Sequence, residues 1–381
     1  MKGISELIDF LTKHYLENYI NLGGSKIKFL TGRPQSGKTY FLKQMQTGAE
    51  GLGYRVASFS AKQVWLHDFK EIYVEIFEQV DIEKCLEGCA RRIVENMGFH
   101  YEDIPAGMTF NDYLAMEGQA DALTKREIRL QLKELFLNNP YLDNNFAIAC
   151  SLITGGILGH PVLESQSKDL LLSWMRGDKS VKLALLRAMG LAPSKITKLN
   201  ARHMLRSLSE VVHLGGFPGI FVCIDDMQQL ISKSGMEEIH YTKLRREDTY
   251  ESIRQLIDEI DSMHYIMFFL GFDRELIDNE NYGIKAYQAL WMRIQNEVVG
   301  KRFNRFQDIL DLDRYARQEF TPEVLRQIWD SILQNDLQPE CEEYTAEIEQ
   351  YLIKQSVSSG IGLMGLMKKV IYEKPALVDG E

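Results

Sequence analysis

The glycine-rich segment Gly32-Arg33-Pro34-Gln35-Ser36-Gly37-Lys38-Thr39 constrains this chain more than any other feature of its sequence. It matches the pattern G-x-x-x-x-G-K-[ST] in full, and such a P-loop turns backbone N–H groups toward phosphate oxygens. We expect Lys38 to reach the β- and γ-phosphates of a nucleoside triphosphate and the Thr39 hydroxyl to bind Mg²⁺. The predicted ligand is ATP with Mg²⁺, held by Gly32, Arg33, Pro34, Gln35, Ser36, Gly37, Lys38, Thr39 and Tyr40.

The segments beside this loop have the patterns that a P-loop requires. Residues 27–30 predict a short strand, and residues 39–46 predict a helix whose positive amino end adds to phosphate binding. A second strand is predicted at 55–60. Two strands joined through a helix must be parallel, with a right-handed connection. The sequence therefore predicts the start of an α/β fold.

A second part of the nucleotide site is predicted at the end of an apolar strand, residues 220–224, which Asp225 and Asp226 follow. A buried strand of this kind can deliver a carboxylate to Mg²⁺, so Asp225 is the predicted metal ligand beside Thr39. Asp226 is the predicted catalytic carboxylate. Related hydrolases usually carry Glu there to orient the attacking water, and Asp is one methylene shorter. Slow hydrolysis, or none, remains open.

Two further residues are candidates for contact with the γ-phosphate. The apolar run 265–270 predicts a strand between the other two in the sheet, and Asp273 follows it as a candidate sensor or as a plain loop acid. Arg293 stands at the end of a predicted helix, residues 286–294. It could act in trans as an arginine finger that stabilises charge on the transferred phosphoryl group, or be a surface arginine.

The order of segments predicts an α/β P-loop NTPase core with a parallel five-stranded sheet, a large helical insertion and a C-terminal helical lid. The fifth strand is expected at 309–312. The helical stretch after the second strand is far too long for an ordinary crossover. Predicted boundaries are 1–22 for a leading helix, 23–64 and 213–315 for the core, 65–212 for the insertion and 316–381 for the lid.

Charge and hydropathy limit the partners. The chain has 44 basic and 54 acidic residues, a net charge of −10, which argues against coating nucleic acid through overall charge. Two basic clusters could still track a phosphate backbone, or could be solvated faces or protein contacts. They are Lys243, Arg245 and Arg246, and Lys301, Arg302 and Arg305 with Phe303 and Phe306.

No contact with a membrane is expected. The most apolar stretch, residues 146–158, is shorter than the roughly 20 residues that cross a bilayer and predicts a buried helix and turn. No secretory leader can be made out, and the five scattered cysteines suit a reducing compartment. The cytoplasm is therefore the expected location.

The chain resembles the P-loop ATP-binding proteins of bacteriophage-exclusion (BREX) defence systems. The resemblance spans residues 24–295 and is carried by six segments: 27–30, 52–56, 174–177 (Trp-Met-Arg-Gly), 216–220, 250–258 and 287–293 (Tyr-Gln-Ala-Leu-Trp-Met-Arg). It implies an AAA+-like (ASCE) ATPase of prokaryotic antiviral defence, which works with an operon-encoded helicase, nuclease or methyltransferase and assembles on double-stranded DNA or as a homo-oligomer.

Two departures from that family's pattern bear on turnover. Asp226 stands where the resemblance leads us to expect Glu, and residues 358–369 lack the arginine that usually touches the γ-phosphate from the lid. We therefore expect an ATP-dependent motor or switch in anti-phage defence, coupled to a DNA-processing partner. The alternatives are a nucleotide-gated scaffold with little hydrolysis and a DNA-binding loader that depends on Arg245, Arg246, Lys301 and Arg302.

Overall fold

A computed structural model of the chain describes residues 2–232, 239–300, 302–334 and 343–373. Lys301 and parts of the predicted lid lie outside these ranges. Five strands form one sheet: β1 (Ser25–Gly32), β2 (Arg55–Ser60), β3 (Ile220–Asp225), β4 (Ile266–Asp273) and β5 (Ile309–Asp311). All pairs are parallel and the order is β2-β3-β4-β1-β5. The predicted parallel five-stranded α/β sheet is confirmed.

The strand order brings three carboxyl ends side by side. β4 lies between β1 and β3, as predicted, and pairs with β1 from Ser25–Ile266 to Gly32–Asp273. Because this ladder continues to Gly32, β4 runs three residues beyond its predicted end at Leu270. Gly271 fits there since a Cβ atom would lie 2.7 Å from Oδ1 of Asp225. The loop after β1 is thus adjacent to the acidic ends of β3 and β4.

Helices supply the remaining regular structure of the described residues. Before β3 they are α1 (Lys2–Leu11), which continues as a π-helix over Thr12–Ile20, α2 (Lys38–Gly51), α3 (Phe69–Val80), α4 (Ile82–Asn96), α5 (Phe110–Met116), α6 (Ala122–Leu132), α7 (Asn144–Leu158), α8 (Ser165–Arg176), α9 (Leu183–Ala188) and α10 (Ala201–Leu214). After β3 they are α11 (Lys243–Glu259), α12 (Glu275–Asp278), α13 (Gln288–Val299), α14 (Leu312–Glu319), α15 (Pro322–Leu333), α16 (Ala346–Ser358) and α17 (Leu363–Glu373).

Local interactions set the helix boundaries. Within the predicted helical insertion, α3 begins at Phe69, because the side chain of Asp68 accepts the backbone N–H of Lys70 and caps the helix. The stretch 146–158 is one continuous helix rather than helix and turn. Its Gly155 and Gly156 are needed for packing, since Cβ atoms there would lie within 2.8 Å of Pro161 and Leu163. Helix α14 begins at Leu312, which was predicted to end the fifth strand, and α17 lies within the predicted helical lid.

The apolar side chains form three clusters. Helices of the long segment between β2 and β3 pack on one face of the sheet, together with α11 and α13. Helices α1 and α2 cover the opposite face. Helices α15, α16 and α17, called here the C-terminal helical unit, have a separate cluster around Trp329 and Met367. Among the described residues no helix is long and apolar enough to cross a membrane.

Candidate functional site

The glycine-rich loop joins β1 to α2 and turns sharply. Gly37 has a φ of 100°, in the left-handed region that glycine adopts without strain, and helix α2 begins at the next residue, Lys38. Gln35 adopts a φ of 61°, which costs a side-chain-bearing residue about 1 kcal/mol or more. The amino end of α2 therefore faces the space above the loop, which is the arrangement that favours an anion.

A cavity of about 780 Å³ opens at this edge of the sheet. The loop contributes Pro34, Gln35, Gly37, Lys38, Thr39 and Tyr40, and the strand ends contribute Asp225, Asp226, Gln228 and Asp273. The C-terminal helical unit closes the other side with Ile332, Ile361, Met364, Gly365, Lys368, Lys369, Tyr372 and Glu373. Three predicted residues, Gly32, Arg33 and Ser36, belong to the loop but do not line the cavity.

Lys38 is held at the floor of the cavity and is 8% exposed. Its Nζ atom donates to the backbone oxygens of Gly32 (3.1 Å) and Arg33 (2.9 Å). It also lies 2.8 Å from Oδ1 of Asp273, at the end of β4. The structure thus joins the predicted phosphate-binding lysine to the candidate sensor.

The carboxylate of Asp225 lies beside two others. Its Oδ1 atom accepts the backbone N–H of Asp226 at 2.8 Å. Burial raises the pKa of Asp225, and the neighbouring charges of Asp226 and Asp273 add to that rise against the opposing effects of the Asp226 N–H and Lys38. The ionised form is therefore costly in the protein alone, and a cation at this carboxylate would relieve that cost.

The residues present fit a magnesium ion. The Thr39 hydroxyl and the Asp225 carboxylate line the same cavity, and both are hard oxygen donors of the kind that Mg²⁺ takes, usually from only one or two protein groups. The described residues contain no group of three or more His, Cys, Asp or Glu side chains that would form an all-protein metal cage. A site of this composition suits a cation that arrives with a nucleotide.

Asp226 is restrained by neighbours that sequence reasoning missed. The Ser60 hydroxyl, at the end of β2, donates to its Oδ2 at 2.9 Å, and the Gln228 amide donates to its Oδ1 at 3.2 Å. The Lys62 ammonium lies 3.7 Å from Oδ1. The backbone of Asp226 has a φ of 58°, a left-handed conformation that Asp and Asn tolerate better than most residues. The carboxylate is therefore fixed toward β2.

Arg293 does not lie at this cavity. Its guanidinium makes a two-point ion pair with Asp258 of α11, at 2.6 and 2.8 Å. It lines a separate cavity of about 110 Å³ with Ser25 and Lys26, which begin β1 at the opposite end of the sheet. A role in trans would require Arg293 to leave Asp258 and to reach another subunit.

The cavity-lining face of α17 was also missed. Its positions 364, 365, 368, 369, 372 and 373 line the cavity, together with Ile361 just before the helix, whereas Leu366, Met367 and Val370 are buried in the unit's own core. The helical spacing of those apolar residues was a usable signal, but it gave no indication that the opposite face meets the loop. Residues 358–369 lack the arginine expected from the lid, and the positively charged side chains of this segment that line the cavity are Lys368 and Lys369.

The two basic clusters lie at opposite edges of the sheet. Arg245 stacks over Trp65, at 4.2 Å, next to the end of edge strand β2. Arg305 pairs with Glu319 at 3.3 Å beside the other edge strand, β5. Phe306 is 58% exposed, whereas Phe303 is half-buried against Tyr315. The described parts of the clusters therefore do not form one continuous track.

A parallel sheet that carries a glycine-rich loop, a buried lysine and acidic strand ends at one edge defines an α/β nucleotide-binding protein. Residues 3–366 match the family model described as BREX system ATP-binding protein BrxC/D. The chain belongs to this family, so its role is ATP binding in anti-phage defence. Neither the curated proteins nor the solved structures include a match to it.

Proposed function

We propose that the chain is an AAA+-like P-loop ATPase that binds ATP with Mg²⁺ in the cavity between the glycine-rich loop and α17. The observation that carries this proposal is the meeting of Lys38 with Asp225, Asp226 and Asp273 at one cavity. The strand order, with β4 between the loop-bearing strand and the acidic strand, supports the same assignment.

In the proposed mechanism the loop N–H groups and the amino end of α2 bind the β-phosphate, and Lys38 exchanges Asp273 for a γ-phosphate oxygen. Thr39 and Asp225 would hold the Mg²⁺ ion, which when bound would supply positive charge at the phosphate oxygens. Asp226 orients the attacking water and accepts its proton, and Lys368 and Lys369 add positive charge from α17.

Slow turnover follows from the environment of Asp226. Its carboxylate is shorter than a glutamate and already accepts from Ser60 and Gln228, which hold it toward β2 and leave fewer free lone pairs to orient a water. The same observation favours the second candidate, a nucleotide-gated scaffold that binds ATP and hardly hydrolyses it. In either case the nucleotide state would control assembly with a DNA-processing partner of the helicase, nuclease or methyltransferase type, or with further copies of this chain.

The test is ATP turnover by the purified chain with and without double-stranded DNA, beside Lys38→Ala as the blank. Turnover that rises with DNA and vanishes in the variant supports a DNA-coupled motor or loader. Clear ATP binding without turnover above the blank favours the scaffold. Absence of ATP binding by the wild-type chain, measured by calorimetry, would contradict both candidates.

A further inference from the structure

Arg33 is a loop residue whose side chain turns away from the nucleotide cavity. Its Nε atom lies 3.3 Å from Oδ2 of Asp313 in α14, and its backbone N–H donates to the same oxygen at 2.6 Å. Its two terminal nitrogens donate to the backbone oxygens of Ser356 and Ser359, each at 2.5 Å. These oxygens lie at the carboxyl end of α16, where carbonyl groups lack helical partners and attract a cation.

The next two loop residues are bonded to the following helix. The backbone N–H groups of Gly362 and Gly365, at the start of α17, donate to the backbone oxygens of Pro34 (2.8 Å) and Gln35 (3.1 Å). A Cβ atom on Gly362 would lie 2.5 Å from Cα of Ser36, and one on Gly365 would lie 2.3 Å from Oε1 of Gln35. Only glycine allows this approach, so three consecutive loop residues are fastened to the C-terminal helical unit.

The same contacts extend to the strand that carries the candidate sensor. Arg274 follows Asp273 and makes an ion pair with Asp311, which is 4% exposed. Asp311 caps α14 by accepting the backbone N–H groups of Asp313 and Arg314. Asp313 is 3% exposed and is the carboxylate that Arg33 contacts. A continuous set of bonds therefore connects the end of β4, α14, Arg33 and the carboxyl end of α16.

We propose that Arg33 is a positioning residue that couples the phosphate-binding loop to the C-terminal helical unit, so that ATP in the cavity sets the position of that unit. The proposal rests on the proposed function, because it concerns the same cavity. Phosphate binding fixes the backbone of residues 33–37, and through Arg33 and the two glycines the unit must follow. The position of the C-terminal helical unit then depends on whether ATP is bound.

The experiment is amide hydrogen exchange on the full chain with and without Mg²⁺-ATP, at ATP concentrations shown by calorimetry to saturate each variant. The test variant is the double change Arg33→Ala with Asp313→Asn, which removes the side-chain contacts of Arg33 without leaving a buried carboxylate unpaired. In the wild type we expect ATP to slow exchange in residues 356–373. In the double variant saturated with ATP, the ATP-dependent change in 356–373 should be smaller than in the wild type, because only the backbone contacts of Pro34 and Gln35 with the start of α17 remain. Arg126→Ala, an exposed arginine on α6, is the matched control.

A second pair of variants serves if the double variant does not fold. Gly365→Ala forces the start of α17 away from Gln35, whereas Gly360→Ala meets no atom within 4 Å. We expect the first to lose the ATP-dependent change and the second to keep it. An unaltered change in variants that bind ATP would overturn the proposal, as would a wild type that binds ATP with no change in 356–373. In both outcomes the proposed function stands, whereas a wild type that does not bind ATP removes the function itself.

Discussion

The Nζ atom of Lys38 lies 2.8 Å from Oδ1 of Asp273, and this contact joins the loop after β1 to the end of β4 across the floor of the cavity. Both groups are held by their surroundings: Lys38 by backbone oxygens of its own loop, and Asp273 by the Gln228 side chain, which accepts its backbone N–H at 3.2 Å. A γ-phosphate at this position would meet a lysine and a polar strand end together.

Lys38→Ala removes the charge at the centre of this arrangement. We expect ATP affinity to fall by about 2–4 kcal/mol, roughly 30- to 1000-fold, because a charge-assisted contact to phosphate is lost. Isothermal titration with Mg²⁺-ATP measures the change. Lys43→Ala, an exposed lysine on the same helix, is the control and should bind as the wild type does. Unchanged affinity in Lys38→Ala would refute the site.

Asp226→Glu tests whether the short side chain limits turnover. Glutamate reaches further toward a water, so we expect the steady-state rate to rise by about tenfold, within the range of general-base effects. The φ of 58° at this position should cost the variant on the order of 1 kcal/mol in stability, visible as a lower Tm. Asp226→Asn is the control and should have no turnover. Equal rates in all three proteins would favour the scaffold.

The raised pKa of Asp225 predicts a dependence of stability on pH. Its ionised form destabilises the folded state at pH values above its raised pKa, and that cost disappears as pH falls through the raised value toward the ordinary 3.8. Asp225→Asn keeps an oxygen that can accept the Asp226 N–H. Without nucleotide we expect this variant to have a higher Tm than the wild type at neutral pH, and the difference to shrink on acidification.

Thermal unfolding between about pH 4 and pH 8 measures this difference. The matched control is Asp169→Asn, an exposed carboxylate on α8, which should show no comparable gain. A Tm difference for Asp225→Asn that grows as pH falls would contradict the sign of the predicted effect.

Arg293 pairs with Asp258, and two variants can tell whether it only joins these two helices or also acts as an arginine finger. If it only ties α13 to α11, Arg293→Ala and Asp258→Asn should each lower stability only slightly, as exposed ion pairs do, with turnover unchanged. Chemical denaturation and turnover at a concentration that permits assembly measure both. Loss of turnover in Arg293→Ala but not in Asp258→Asn would instead support the arginine finger.

The lysines of α17 should contribute to ATP binding from the unit that covers the cavity. We expect Lys368→Ala combined with Lys369→Ala to weaken ATP binding by about 1–2 kcal/mol. The effect on ADP binding should be smaller, because ADP lacks the γ-phosphate charge that these lysines would contact. Lys354→Ala, an exposed lysine on α16, is the control. Equal losses for ATP and ADP would place these lysines away from the γ-phosphate.

Short sequence patterns were enough to predict much of the fold and of the candidate site. The loop from Gly32 to Thr39 was predictable because phosphate binding depends on consecutive residues and on glycines with special backbone angles. The apolar strand that ends in Asp225 and Asp226 was predictable because a strand buried on both faces is a nearly continuous apolar run. The position of β4 between β1 and β3 followed from the expected core, and with it the placement of Asp273.

The sequence by itself therefore determined those residues whose role depends on their immediate neighbours in the chain, such as the loop residues and the acids that end an apolar strand. Only the tertiary structure decided which distant groups meet them: Ser60 at Asp226, Asp258 at Arg293, and α17 over the loop. The physical reason is that these contacts depend on strand order and helix packing. Such packing is specified by many weak apolar contacts spread over the chain rather than by any short pattern. Arg33 shows the difference, since its pattern predicted a phosphate ligand and its packing makes it the link to α16.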